Sequence, residues 1–224
     1  MKISRVLPLC LIVAVTASAQ ATPPAPVLVD KRIILAQFAD CLARMGPGQS
    51  EALLRADPGS DVEHRAAETL VHAHSTCMND RMVLSMNAPI IRGLVAEAMF
   101  KRRHPAWLAT AEHLPASVPA RPARPLQASV PTAGKDAAKR ERAFMIAYSG
   151  CLAKAAPAQV AKVLETAIAT PEEKEAVLGL GTNLNDCMPL GARYQLNVGG
   201  LRTNLASALY LDFARQPLHA ESAQ

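Results

Sequence analysis

The chain has 224 residues and a formal charge of +5; half of its residues are apolar and only 4% are aromatic. Strands draw on β-branched and aromatic side chains, so a chain rich in Ala and Leu and poor in rings points to an all-α fold and away from a sheet protein. A mild positive balance with no aromatic stacking platform also points away from nucleic acid as the partner.

The N-terminus reads as an export signal. Lys2 and Arg5 form a short positive region, Val6 to Val15 an apolar core, and Ala17-Ser18-Ala19 a small-x-small cleavage site. The apolar run is too short to span a bilayer as a mature helix. Cys10 is a poor lipidation site, because Leu9 precedes it where a small residue is wanted. Cleavage after residue 19 lowers the formal charge to +3 and leaves four cysteines, Cys41, Cys77, Cys151 and Cys187. An even cysteine count in an exported chain reads as a disulfide framework. The expected location is the bacterial periplasm or the medium, with a short tail over 20–30 ahead of the first folded unit.

The chain then repeats itself. Cys41 and Cys77 are 36 positions apart, and so are Cys151 and Cys187. A shift of 110 residues lays 31–100 over 141–210 without a gap. Arg32, Cys41, Leu42, Ala43, Pro47, Gln49, Leu54, Glu63, Ala66, Leu70, Cys77, Met78, Asn87, Arg92, Ala96 and Ala98 recur identically at the shifted positions. This pattern reads as an internal duplication, giving a helical unit at 31–100 and a second at 141–210.

Each unit predicts about four short helices. Ile34, Leu35, Phe38, Cys41, Leu42 and Met45 share one face of the first, as Phe144, Met145, Tyr148, Cys151 and Leu152 do in the second unit. Pro47 and Pro157 interrupt, and a short helix follows through Leu53-Leu54 or Val163-Leu164. Ser60 to Glu63 and Thr170 to Glu173 are capping boxes, with Pro171 at the first helical position. The third helix is expected to run to Cys77 or Cys187. Asn87 and Asn197 are candidate caps for a fourth, striped by Ile91, Leu94, Val95, Ala98 and Met99, or by Leu201, Leu205, Ala208 and Leu209. Units of this size hold marginal cores without a staple. Four cysteines allow three pairings, and duplication favours Cys41 with Cys77 and Cys151 with Cys187, because a single ancestral unit would have needed its own bridge.

Residues 101–140 read as a linker rich in Pro and Arg. It carries eight Lys or Arg against Glu112 and Asp136, and Pro105, Pro115, Pro119, Pro122, Pro125 and Pro131 break its helical period beyond His113. Its net +6 exceeds the mature chain's total, so the rest of the chain is net acidic. Trp107 is expected to dock back on a unit as part of a short amphipathic turn. Residues 211–224 read as a C-terminal tail.

No catalytic signature is present: there is no G-x-S-x-G, H-E-x-x-H, phosphate-binding Gly-rich loop, C-x-x-C or C-x-x-C-H. His64, His72 and His74 form the one polar cluster to weigh. His72 and His74 point about 200° apart on a helix, and Lys174, Thr182 and Leu184 replace the three in the second copy, so no metal or other cofactor is expected. Glu172-Glu173 open a helix, where acids suit the macrodipole. Arg92 and Arg202 are candidate binding residues for a ligand carboxylate, with a contact to a helix end or an acid as the competing reading.

Three segments carry a family likeness: Cys41-Leu42-Ala43-Arg44, Leu53-Leu54-Arg55 to Pro58-Gly59-Ser60, and Ile91-Arg92-Gly93-Leu94-Val95-Ala96-Glu97-Ala98-Met99-Phe100. The chain resembles an uncharacterised family of exported, helical, cysteine-paired proteins of alphaproteobacteria. The likeness covers both units and not the linker, and the second copy departs from it over Leu201 to Tyr210. It implies export and architecture and attaches no activity. The leading expectation is a non-enzymatic binding or scaffolding protein of the envelope, using grooves on the two units to hold a protein or an anionic envelope polymer. A hydrolase or ligand sensor with a site between the units, and an envelope chaperone, are the alternatives.

Overall fold

The computed structural model describes residues 30–78, 88–114, 135–188 and 197–215, and every regular element among them is helical. The first half holds α1 (Lys31–Met45), α2 (Pro47–Arg55), α3 (Asp61–Ala73) and α4 (Ala88–Arg103). A short α5 (Pro105–Thr110) and a 3-10 turn at Ala111–His113 follow. The second half holds α6 (Lys135–Ala155), α7 (Pro157–Glu165), α8 (Pro171–Leu178), α9 (Asn183–Asp186) and α10 (Val198–Arg215). The starts of α7, α8 and α10 lie 110 residues after those of α2, α3 and α4.

Local sequence explains the boundaries. Asp30 caps α1 through a 2.7 Å bond from the Arg32 N–H. α1 ends at Gly46, and Pro47 opens α2 where its missing N–H costs nothing. At α3 the Ser60 hydroxyl accepts from the Glu63 N–H, and at α8 Thr170 accepts from Glu173. The reciprocal arm of each box differs from expectation. Glu63 accepts from the Gly59 N–H at 2.6 Å and Glu173 from the Ala169 N–H at 3.0 Å, one residue before the cap. That reach uses a left-handed residue, Gly59 at φ 78° or Ala169 at φ 63°. Asn197 accepts from the Gly200 N–H and caps α10; Asn87 lies outside the described residues.

Both disulfides join residues of one half: Cys41 to Cys77 and Cys151 to Cys187, each with Cα atoms 5.7 Å apart. The third helix does not reach either second cysteine. α3 stops at Ala73 and a 3-10 turn at Ser75–Cys77 delivers Cys77. In the second half Gly179 ends α8 and Gly181, at φ 51°, turns the chain into α9. A continuous helix would carry the thiol away from the first helix, and the break returns it. His74 occupies the first break, folding its ring over Gly46, where any Cβ would meet its Nε2.

The core is shared by the two halves. α4 crosses α10, and each is packed against its own half's first helix. Phe38, Leu42, Val95 and Phe100 and their counterparts Tyr148, Leu152, Leu205 and Tyr210 belong to one continuous buried cluster. Met45, expected on the buried face, is exposed, because α1 ends there and the neck at Gly46 turns the chain away. The segment read as a linker is helical at both ends: α4 runs to Arg103, α5 follows, and α6 starts at Lys135. Trp107 docks edge-on against Phe100 and Phe213, centroids 5.5 and 6.1 Å away. α10 likewise continues to Arg215, into the stretch read as a tail, so that Phe213 can close this cluster.

Candidate functional site

The polar residues buried between the halves form two related clusters. Arg92 and Arg202, 0% and 1% exposed, each reach the C-terminal end of the second helix of their own half. Arg92 donates to the carbonyls of Leu53, Leu54 and Ala56 at 2.9, 2.5 and 2.8 Å. Arg202 donates to Leu164 and Thr166 at 2.8 and 3.0 Å. A cation here satisfies carbonyls that the helix leaves open and lies at the negative end of its dipole. The candidate binding residues thus make the contact to a helix end and to acids.

Glu63 and Glu173, each 1% exposed, complete the clusters and tie the halves together. Arg32 of α1 pairs with Glu173 of the other half at 2.5 Å, and Arg142 of α6 pairs with Glu63 at 3.4 Å. These four residues are counterparts under the 110-residue shift, so the ion pairs are reciprocal, as across a two-fold dimer interface. Arg142 also donates to the Pro89 carbonyl at 3.0 Å, while the Arg32 guanidinium lies against Gly199, the counterpart of Pro89.

The Arg202 cluster holds an acid that the Arg92 cluster lacks, Glu97, which comes from α4 of the first half. Both oxygens of Glu97 accept from Arg202 Nε, at 3.1 and 2.9 Å, and Oε1 also pairs with Lys101 at 2.7 Å. Burial by itself would raise the Glu97 pKa; the hydrogen bonds and charge of Arg202, with Lys101, outweigh it and hold the carboxyl below its ordinary range. Burial works against the charge of Arg202 too, but Glu97 and Glu173 hold its pKa above the usual value. A carboxylate so firmly ionised is a poor proton shuttle.

Sequence reading placed Glu173 only at a helix start and missed its pairing, although a signal existed. Arg32, Glu63 and Arg92 are the charged members of the set that recurs identically, and all three belong to these clusters. Glu97 gave no such signal, since Ser207 stands at its counterpart.

Two surface features remain. A cleft of about 250 Å³ opens beside Glu97, lined by Asp40, Leu94, Lys101, Arg102 and Ile168. A larger groove of about 630 Å³ separates α5 and its 3-10 turn from α7 and α8. Leu108 and Ala109 supply apolar wall; Glu112, Glu165 and Glu175 face it with Lys162 as the one cation among its lining residues. The linker cations nearest the fold are already engaged: Lys101 with Glu97, Arg102 with Asp40, and Arg103 with Glu51 and the Tyr210 hydroxyl.

His64 pairs with Glu68 on the surface, His74 contacts Gln49 at 3.3 Å, and no cluster of metal-binding side chains occurs among the described residues. No described helix is long and apolar enough to cross a membrane. No protein-family model, curated protein or solved structure matches the chain.

Proposed function

We propose that this is an exported, non-enzymatic binding or scaffolding protein, and that its docking surface is the groove between α5 and α7–α8. The observation that supports this most is the division of polar groups. The buried charged groups face one another and helix ends, away from the surface, whereas the groove offers open volume with three unburied carboxylates and an apolar wall. Its net negative lining suits a protein partner that presents a basic segment, in preference to an anionic polymer. The export signal, the duplication and the periplasmic or secreted location belong to the same reading, and the two disulfides fit an oxidising compartment.

The chaperone reading draws less support. Among the described residues the exposed large apolar side chains, Met45, Val62, Ile90, Leu114 and Leu178, each lie on or beside a different element. In the smaller cleft beside Glu97, which a hydrolase or sensor between the halves could use, the carboxylate is already bonded to Arg202.

A photo-cross-linking residue at Gln159, in the groove, should capture one dominant envelope species, and the pair Glu165→Lys and Glu175→Lys should abolish capture. The same residue at Val62, on the exposed face of α3, should capture none of it. Equal capture from both positions, or capture that survives the charge reversal, would remove the groove from the proposal.

A further inference from the structure

The two halves are unequal at one buried position. Arg202 is met by two carboxylates, Glu173 of its own half and Glu97 from α4 of the first half. The counterpart of Glu97 is Ser207, buried, with its hydroxyl donating to the Thr203 carbonyl of its own helix. In the Arg92 cluster, therefore, two guanidiniums, of Arg92 and of Arg142 from α6, share a single buried carboxylate, Glu63. Its Oε2 is committed to the Gly59 N–H. Its Oε1 lies 3.5 Å from Arg92 and 3.4 Å from Arg142 and makes a hydrogen bond to neither. The Nε atoms of Arg92 and Arg142 are both buried without a hydrogen-bond partner. The equivalent Nε of Arg202 is the one that Glu97 grips with both oxygens. A buried guanidinium N–H without an acceptor is costly, and an uncompensated buried charge more so.

We propose that the Arg92 cluster binds a small monovalent anion, of the size of chloride or formate, in the place that Glu97 fills in the Arg202 cluster. Two guanidiniums and one buried carboxylate leave an excess of one positive charge inside the cluster, with exposed Asp57 acting on Arg92 from the surface, and this favours a monovalent anion. Ser207 is shorter than Glu97 by about one carboxylate group, which sets the size of the anion proposed. Arg92 and Glu63 are closed to solvent while Arg142 is 14% exposed, so entry is past Arg142. Burial lowers the pKa of both arginines against the pull of Glu63, the direction expected of cations short of a counter-charge. The anion acts as a structural ligand and is independent of any partner in the groove.

The test is thermal unfolding of the mature, disulfide-intact chain at constant ionic strength, with sodium chloride replacing sodium gluconate, whose anion is too large to enter. The melting temperature should climb by a few degrees with chloride and follow a single-site curve. Ser207→Glu supplies the missing carboxylate and should abolish that increment. Should this variant not fold, Arg142→Gln, which removes the excess charge, should abolish it as well. Crystals grown in bromide should show an anomalous peak within hydrogen-bond reach of the Arg92 Nε atom. Equal melting temperatures in the two salts, an undiminished increment in the folded variant, or bromide-grown crystals with no peak there would each overturn the proposal.

Discussion

Gly93 and Thr203 stand at counterpart positions, 110 residues apart, and they meet each other where α4 crosses α10. A Cβ on Gly93 would lie 2.4 Å from the Thr203 Cβ. When a surface packs against its own counterpart, some position must face itself, and there two full side chains compete for one space. Here one of the two has been reduced to hydrogen.

The first prediction follows from that contact. Gly93→Ala should cost about 1–3 kcal/mol through overpacking, seen as a lower midpoint in chemical denaturation. Thr203→Gly in the same chain should restore most of the loss, because it vacates the space from the other side. A Gly93→Ala variant that melts like the parent would show that the crossing is looser than this geometry.

Glu97 predicts a pH dependence. Its folded pKa is depressed, so its stabilising contribution is complete above the ordinary glutamate value of 4.5 and is lost as pH falls below that value through the depressed one. Glu97→Gln should therefore flatten the acid limb of the stability curve below about pH 4.5, an ordinary glutamate pKa. At neutral pH it should be destabilising by roughly 3–5 kcal/mol, the usual cost of breaking a buried ion pair from one side. Glu51, paired with Arg103 and also depressed, would keep some slope in the variant. Urea midpoints measured from pH 3 to 7 for both chains decide it.

Ala169 provides a stabilising substitution. It holds the left-handed conformation that Gly59 holds in the first half, so that its N–H can reach Glu173. An alanine there costs about 1 kcal/mol relative to glycine, more than the entropy glycine adds to the unfolded chain. Ala169→Gly should raise the melting temperature by about 1–3 °C for a chain of this size. A drop would mean that Ala169 is not left-handed in solution.

Much of this fold is visible in the residues because its determinants are local. A cap, a proline at a first helical position or an apolar face is written within one or two turns, so Ser60, Pro171 and the Phe38–Leu42 stripe announce themselves. Disulfide pairing was readable for a different reason: two equal spacings of 36 residues left one pairing natural. The ion pairs between halves were not readable, because Arg32 and Glu173 are 141 residues apart and nothing local distinguishes their partners from water. The helix breaks before Cys77 and Cys187 were also hidden. They answer to where α1 and α6 lie, which is a tertiary fact.

The two disulfides should differ in accessibility despite their equal spacing. Cys151 and Cys187 are both buried, at 6% and 1%, whereas Cys41 and Cys77 are only half-buried. Thiol–disulfide exchange requires a thiolate to approach a sulfur in line, so access governs which bridge opens in the native state. Limiting dithiothreitol followed by alkylation and peptide mapping should label Cys41 and Cys77 well before Cys151 and Cys187. Loss of the first bridge alone should cost about 3–4 kcal/mol by the loop it closes. The second half should keep its helices, because α6, α7 and α10 retain their own core residues around Leu152, Leu164 and Leu205. Labelling of all four cysteines at one rate would instead mean that the halves open together, through the α4–α10 crossing they share.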